Sequence, residues 1–351
     1  MTTAPRVLFF ADAGPEVGGG HVMRCLTLAR ALVERGADCA FLESRAAAPI
    51  LRRFGWPEHA LVAMVEAETL EALVASGREF ADRFEADAVV IDHYGVGAAE
   101  ETTLRGLHRR IVVIDDLANR PHACDLLIDP GYGRRRADYS RLVRAGCVTL
   151  VGPGHALIRP EFAQARPRAL SRRARHDPVR RVQVSLGLTD VGGITGEVVA
   201  ALTPHLGDVR LEVVVGADAP SYEALAASAE AEGRIRLHPD ADMPALTAEC
   251  DLAVGAGGSS TWERACLGLP SITLILADNQ VETAERLETS RATLAVDARA
   301  PGFEPGLIDA WRQLTQDASL RWTLSQRASE LCDGRGADRV ADAAIDLLTP
   351  R

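Results

Sequence analysis

The chain contains no lysine; every one of its 39 basic residues is arginine. A Walker A lysine, a Schiff-base lysine and a pyridoxal-phosphate anchor are therefore excluded, and three large enzyme classes go with them. Long apolar runs are missing too. No stretch reaches about 18 uninterrupted apolar residues, and the residues after Arg6 run straight into a strand pattern without an extended apolar segment. Neither a membrane span nor a secretory signal is expected. The seven cysteines (Cys25, Cys39, Cys124, Cys147, Cys250, Cys266, Cys332) are spread singly, without a C-x-x-C pair, as reduced thiols of a cytosolic enzyme would be. Positive charge is in deficit. A formal net charge of -10 argues against a general nucleic-acid binder, which needs a surplus of clustered basic charge. One stretch departs from that balance: Arg166, Arg168, Arg172, Arg173, Arg175, Arg180 and Arg181 crowd together beside Pro167 and Pro178. Its composition reads as a solvated linker over 166–181.

What the chain does have is enough apolar residue, 47% against 25% charged, to bury a substantial core. At 351 residues it exceeds the size at which a single core stops growing, so two domains are expected. The pattern agrees. Short apolar runs rich in β-branched residues recur at Val7–Ala11, Cys39–Leu42, Ala88–Ile91, Ile111–Ile114, Leu126–Ile128 and Val148–Val151, with helical patterns between several of them. Among these patterns, Val22, Cys25, Leu26, Ala29, Leu32 and Val33 mark an amphipathic helix with Gly36 as its C-cap. The rhythm restarts after the arginine-rich stretch with Val182–Leu186, Leu211–Val215, Ile235–Leu237, Leu252–Val254, Ser271–Leu276 and Thr293–Val296. Strand–helix alternation twice over predicts an α/β protein of two Rossmann-type parallel-sheet domains, 1–165 and 182–351, facing a central cleft. The last helix is a candidate to pack back on the first domain. Ligands of such sheets bind beyond the carboxyl ends of the strands, so the loops there carry the functional candidates.

The first such loop holds Asp12, Gly18, Gly19, Gly20, His21 and Arg24. Glycines let backbone amides approach a ligand, and a helix N-terminus favours negative charge. A G-x-G-x-x-G fingerprint is absent, so this is not a nicotinamide loop. His21 falls in the first helical turn, where the positive end of the dipole favours the neutral imidazole that a general base requires. The alternative is a polar helix-start residue without chemistry. A second glycine-rich loop, Gly255 to Glu263, follows the strand ending at Val254. Its amides, with the hydroxyls of Ser259, Ser260 and Thr261, suit a diphosphate, and Glu263 suits ribose hydroxyls. Ser260-x-x-Glu263 also reads as a capping box, compatible with ligand binding.

Weaker candidates sit at the same sheet edges. Asp278, Asn279 and Gln280 follow one strand, and Gly187, Leu188, Thr189 and Asp190 another, with turn chemistry as their alternative. Asp92-His93-Tyr94 and Asp115-Asp116 end two strands of the first domain. The paired Asp residues are too few for a hard-cation site, so no metal is expected, and no cofactor. His155 is the main rival to His21 as base, and Arg159 lies close to it in sequence.

Taken in order, these loops resemble the UDP-2,4-diacetamido-2,4,6-trideoxy-β-L-altropyranose hydrolases of pseudaminic acid biosynthesis, a family similar to the GT-B glycosyltransferases. The resemblance rests on Asp12-Ala13 with Gly20-His21-Val22-Met23-Arg24-Cys25, on Ile114-Asp115-Asp116-Leu117-Ala118 with Arg120-Pro121-His122, and on Ala156-Leu157-Ile158-Arg159-Pro160-Glu161-Phe162. It continues through Gly255 to Leu269-Pro270, Ala277-Asp278-Asn279-Gln280 and Asp333-Gly334-Arg335-Gly336-Ala337. It implies a GT-B-like fold and a UDP-sugar substrate, while charge and hydropathy argue for no nucleic-acid or membrane partner. It also implies metal-independent hydrolysis in which His21 activates water and the anomeric carbon is inverted. Tyr94 and Asn279 would support the sugar, as would Asp12, Gly20, Arg24, Arg159, Gly187, Thr189, Asp278 and Gln280. Gly257, Gly258, Ser259, Ser260 and Thr261 would hold the diphosphate and Glu263 the ribose. Leu188 stands where a glycine is usual in the family, Val191 where proline is common, and His155 where tyrosine is frequent.

Overall fold

A computed structural model describes residues 4–14, 18–57, 60–65, 69–187 and 189–349, with the backbone alone for 62–65. It divides into two compact units. The first runs to Leu157 and takes back the chain from Arg335; the second is Ile158–Gly334.

The first unit contains β1 (Arg6–Ala11), α1 (Gly20–Val33), β2 (Asp38–Ser44), α2 (Ala48–Arg53), β3 (Leu61–Val65) and α3 (Leu70–Arg83). It continues with β4 (Ala88–Asp92), α4 (Ala98–Arg105), β5 (Arg110–Ile114), β6 (Leu126–Asp129) and β7 (Val148–Val151). The second unit holds α5 (Pro160–Arg173), β8 (Arg181–Ser185), α6 (Ile194–Leu202), β9 (Arg210–Val214), α7 (Tyr222–Glu232), β10 (Ile235–His238) and α8 (Met243–Glu249). Then come β11 (Leu252–Ala256), α9 (Ser260–Cys266), β12 (Ser271–Ile275), α10 (Asp278–Thr289), β13 (Leu294–Asp297), α11 (Glu304–Gln316) and α12 (Ala318–Leu331). The closing helix, α13 (Gly336–Leu348), belongs to the first unit.

Both sheets are wholly parallel, in the orders β3-β2-β1-β4-β5-β6-β7 and β10-β9-β8-β11-β12-β13. Parallel strands buried on both faces need continuous apolar runs, which is what the sequence offers. In β1 the side chains alternate between two cores. Val7 and Phe9 join α1 and α13 on one face, while Leu8 and Phe10 pack on the other with Val74 of α3 and Leu104 of α4. Phe9 stacks on Phe41 at 4.7 Å, and burying side chains of this size stabilises by roughly 1.5–3 kcal/mol each. In the second unit Val182, Val184, Leu211, Val213 and Leu252 form the main core with Trp311 and Leu314 of α11.

Each strand order reverses once, between β1 and β4 and between β8 and β11. These are the switch points outside whose strand ends an open α/β sheet leaves a crevice. Asp12–Gly14 and Gly18–Gly20 after β1, and Gly257–Ser259 after β11, stand at them.

Two expectations need correction. The stretch 166–181 is not a solvated linker, because α5 covers it as far as Arg173 and belongs to the second unit. Its guanidinium groups are engaged. Arg166 bonds the carbonyls of Cys266, Ser329 and Cys332, Arg173 those of Thr247 and Ala248, and Arg172 and Arg181 pair with Asp251 and Glu212. Arginine charge is thus spent on helix C-termini and carboxylates. Accordingly the units divide at Leu157/Ile158 rather than at 165. The strand β3, absent from the sequence reading, is an edge strand that among the described residues pairs only with β2, across a register shift. Its Ala63 and Met64 favour strands weakly.

Where α13 starts, chain packing is tight. A Cβ on Gly336 would lie 2.2 Å from the carbonyl oxygen of Ala156, so only glycine admits this approach. From there Ala337, Val340, Ala341 and Ala344 join the core against α1.

Candidate functional site

In the first unit the site is built where β1 and β4 end side by side. The backbone N–H of Asp12 donates to the Asp92 carbonyl at 2.8 Å, which aligns the two strand ends. Gly18, at φ 73°, leads into α1, and His21 and Arg24 fall one turn apart on the same buried face of the helix. Both point at Asp92, which is fully buried. His21 Nδ1 lies 2.5 Å from Asp92 Oδ1; Arg24 donates from Nε to Oδ2 at 2.5 Å and from Nη2 to Oδ1 at 2.7 Å. Arg24 Nη1 reaches Asp116 Oδ2 at 2.9 Å, and Asp116 also bonds the Tyr94 hydroxyl. The Tyr94 ring stands edge-on to the His21 ring, with centroids 4.7 Å apart.

Charge balance settles the tautomer. Burial pushes the Asp92 carboxyl up, yet the Arg24 and His21 charges and their hydrogen bonds outweigh it and hold the group at about 2. An ionised Asp92 has no proton to give, so Nδ1 carries the hydrogen and donates it. Whenever the ring is neutral, Nε2 therefore keeps its lone pair. A base oriented through its other ring nitrogen by a buried carboxylate is the arrangement that proton abstraction from water or a hydroxyl requires. Beside it, His93 accepts from the Gly95 N–H at Nδ1, with Nε2 3.8 Å from Asp12. Burial lowers the pKa of His93, against the Asp12 charge.

Behind this cluster lies a second buried network. Asp115 accepts from Arg120 Nη1 and from the Ala118 N–H, both at 2.8 Å, and its Oδ2 lies 2.8 Å from the Tyr139 hydroxyl. The same hydroxyl is 2.8 Å from Asp129, whose carboxyl burial raises to about 6. One hydroxyl hydrogen serves one of the two carboxylates at a time, and Asp129 is also paired with Arg134 Nε at 3.0 Å.

In the second unit the loop after β11 places Ser259 as N-cap of α9 with no side-chain cap bond. The expected capping box does not form. Ser260 is instead the first helical residue, its hydroxyl oxygen accepting from Arg264 Nη1 at 3.0 Å, and Glu263 is turned toward Arg159, 4.0 Å away. Arg264 also bonds the Ala256 carbonyl and Thr261 Oγ1, and burial lowers its pKa to about 10 despite the Glu263 charge. The guanidinium sits so close behind the loop that a Cβ on Gly255 would be 2.3 Å from it. Burial raises the Glu263 carboxyl, against the charges of Arg159 and Arg264. The amides of Gly258 and Ser259 take no backbone acceptor among the described residues. Exposed amides, a serine hydroxyl with its hydrogen to spare and a buried cation behind them suit a bound anion.

The remaining candidates fall into two groups. Gln280 belongs to the loop, its Oε1 accepting from the Leu276 N–H and its side chain lying against Gly257. Asn279 is exposed at the start of α10, and Asp278, equally exposed, pairs with Arg299. After β8, Gly187 takes φ 117° and Thr189 is exposed; Leu188 lies outside the described residues. Asp190 is buried at φ 46° and accepts from Thr195 N and Ser221 Oγ, a structural turn. His155 stands apart from the Asp92 cluster. It closes a short turn with Nδ1 3.2 Å from the Val151 carbonyl, and burial lowers its pKa. Arg264 was not picked out from the sequence, and Asp92 and Asp116 stood there only as weak candidates at strand ends with no role assigned. The available signal was positional: Asp92 and Asp116 each close a strand pattern at the carboxyl edge, and Arg264 lies one helical turn beyond Ser260.

No family model matches the chain. In sequence it is 26% identical over 344 residues to a spore coat polysaccharide biosynthesis protein of Bacillus subtilis, covering 96% of this chain and 97% of that one. It is also 26% identical over 238 residues to the UDP-2,4-diacetamido-2,4,6-trideoxy-β-L-altropyranose hydrolase of Campylobacter jejuni, covering 67% and 78% of the two chains. Among solved structures it matches Acinetobacter baumannii MurG with a TM-score of 0.70 at 16% identity, covering 97% of this chain and 99% of that one. The spinosyn rhamnosyltransferase SpnG matches with a TM-score of 0.62 at 17% identity, covering 98% and 100%. The fold is therefore of the GT-B kind, two Rossmann-type parallel-sheet domains in one chain, and the sequence is similar to that of a UDP-sugar hydrolase.

Proposed function

We propose that this protein is a nucleotide-sugar hydrolase that releases UDP from UDP-2,4-diacetamido-2,4,6-trideoxy-β-L-altrose. The observation that carries the proposal is the His21–Asp92–Arg24 constellation at the first switch point, in a chain similar to the Campylobacter hydrolase. Water attacks C1 of the sugar on the face opposite UDP. The bond from C1 to the water oxygen forms as the bond to the diphosphate oxygen breaks, which inverts the anomeric centre. His21 Nε2 takes the proton, and Asp92 stabilises the imidazolium that results. Arg24 fixes Asp92, which makes both positioning residues rather than reacting groups.

Tyr94 and Asn279 are assigned to the sugar, together with Asp12, Gly20, Arg159, Gly187, Thr189, Asp278 and Gln280. In the second unit the loop at Gly257, with the amides of Gly258 and Ser259 and the hydroxyls of Ser259, Ser260 and Thr261, takes the departing diphosphate, with Arg264 behind them. Glu263 accepts from the ribose hydroxyls. No step calls for a metal or a cofactor. The product, a free 2,4-diacetamido sugar, would feed synthesis of a nonulosonic acid for flagellin or surface glycosylation in the cytoplasm.

A second reading is favoured by the likeness of the whole chain to MurG and SpnG: a glycosyltransferase with the same UDP grip that delivers the sugar to an acceptor hydroxyl. Turnover without an acceptor separates the two. Purified protein should release UDP and free sugar from the donor alone. His21→Ala should lower that rate by about 10²-fold or more, and His155→Ala should leave it near normal. Loss in His155→Ala with retention in His21→Ala would overturn the assignment of the base.

A further inference from the structure

Four of the seven cysteines stand in contact pairs. Cys124 Sγ lies 3.5 Å from Cys147 Sγ, and Cys266 is hydrogen-bonded to Cys332; all seven are free thiols. The two pairs differ in access. Cys266 and Cys332 are 0% and 1% exposed, whereas Cys147 is part-exposed at the entrance to β7 and Cys124 is buried beside it. We propose that Cys124 and Cys147 form a reversible dithiol–disulfide site that responds to hydroperoxides, while Cys266 and Cys332 remain reduced.

The two thiols are differentiated for those roles. A hydrogen bond from Cys124 holds the Cys147 thiol below its ordinary pKa, against burial and the Asp125 charge and with help from Arg144. The same bond and burial push Cys124 up. A part-exposed, low-pKa thiol beside a buried partner is the pattern of an attacking and a resolving cysteine. In the first step the Cys147 thiolate attacks a peroxide oxygen and the O–O bond breaks. Cys147 becomes a sulfenic acid, and the hydroxide that leaves takes up the proton the thiol had lost, giving one water. Cys124 sulfur then attacks the Cys147 sulfur, the S–S bond forms, and the hydroxyl leaves as a second water with the Cys124 proton. Two thiols and one hydrogen peroxide thus give one disulfide and two waters.

Closing an S–S bond of about 2.0 Å asks the sulfurs to approach by about 1.5 Å. The chain can yield there. Gly146, next to Cys147, takes φ 84° with nothing within 4 Å of its Cβ position. The bridge would enclose β6 and the segment bearing Arg134 and Tyr139, which bond the Asp116 carbonyl and Asp115.

The test is to treat the native protein with graded hydrogen peroxide, quench, alkylate under denaturing conditions and map peptides by mass spectrometry. Alkylatable thiols should fall from seven to five, with a Cys124–Cys147 linked peptide that dithiothreitol removes. Cys147→Ser should form no linked peptide, and Cys124→Ser should stop at a sulfenic acid that dimedone traps. A bridge between Cys266 and Cys332 at the same peroxide concentration would overturn the proposal. So would Cys147 oxidised to sulfinic acid in the wild-type chain with no bridge.

Discussion

Replacing Asp92 by Asn changes little in volume and removes the charge on which the first-unit site is organised. In the native site four donors meet one carboxylate: His21 Nδ1 and Arg24 Nη2 at Oδ1, and Arg24 Nε and the Cys25 thiol at Oδ2. An amide offers only one acceptor oxygen. Whichever way it turns, its NH2 faces a guanidinium N–H, and if it turns toward His21 it donates to Nδ1. The imidazole then adopts the other tautomer and Nε2 loses its lone pair. General-base assistance is typically worth 10²–10⁴-fold, so kcat should fall by roughly that factor, or about 2.7–5.4 kcal/mol in the barrier. KM should stay within about threefold, because Asp92 contributes through His21 rather than to sugar binding. The assay is UDP release from the donor sugar, with Tm and near-UV circular dichroism as controls, since Arg24 loses its main partner. The reasoning also forbids additivity. His21→Ala with Asp92→Asn should be no slower than His21→Ala alone. A folded Asp92→Asn protein with kcat within about threefold of wild type would refute the positioning role, as would a double variant whose losses multiply.

Stability should carry the mark of the same carboxylate. With a folded pKa of about 2 against an ordinary 3.8, Asp92 contributes stability that is fully present above about pH 4 and is lost as pH falls toward 2. The span corresponds to about 2 kcal/mol, and urea midpoints measured between pH 4.5 and 2.5 should fall more steeply in wild type than in Asp92→Asn; parallel curves would contradict this. Gly336→Ala should drive a methyl into the Ala156 backbone and destabilise by about 2–3 kcal/mol, visible as a Tm lower by roughly 5–10 °C, whereas an unchanged Tm would mean that the approach of α13 is looser than 2.2 Å.

Much of the architecture was legible from period and punctuation. The runs that became β1, β4, β5 and β11 are apolar on both faces, as buried parallel strands must be, and each runs into a glycine or aspartate, whereas β8 alternates, with Arg181, Gln183 and Ser185 on its second face. His21 was legible because a histidine directly after three glycines, at the start of an amphipathic helix, has few structural duties. Asp92 was not legible as its partner, because nothing local says that the strand ending at 92 is laid beside β1; that follows from the reversal of strand order. The arginine-rich stretch misled for a related reason. Its charges look solvated in sequence, yet their partners Asp251, Glu212 and the carbonyls of Cys266, Ser329 and Cys332 lie about 30 to 170 residues further along the chain. Capping failed at Ser260 because Arg264 claims its hydroxyl oxygen, an i,i+4 contact that competes with the box.

The most direct test of the hydrolase assignment is to incubate the purified protein, with EDTA present, with UDP-2,4-diacetamido-2,4,6-trideoxy-β-L-altrose and to follow the anomeric proton and UDP by NMR. The account predicts equimolar UDP and free sugar, with the anomeric signal of the inverted configuration appearing before mutarotation equilibrates it. Intact substrate, or turnover only when an acceptor alcohol is supplied, would contradict it.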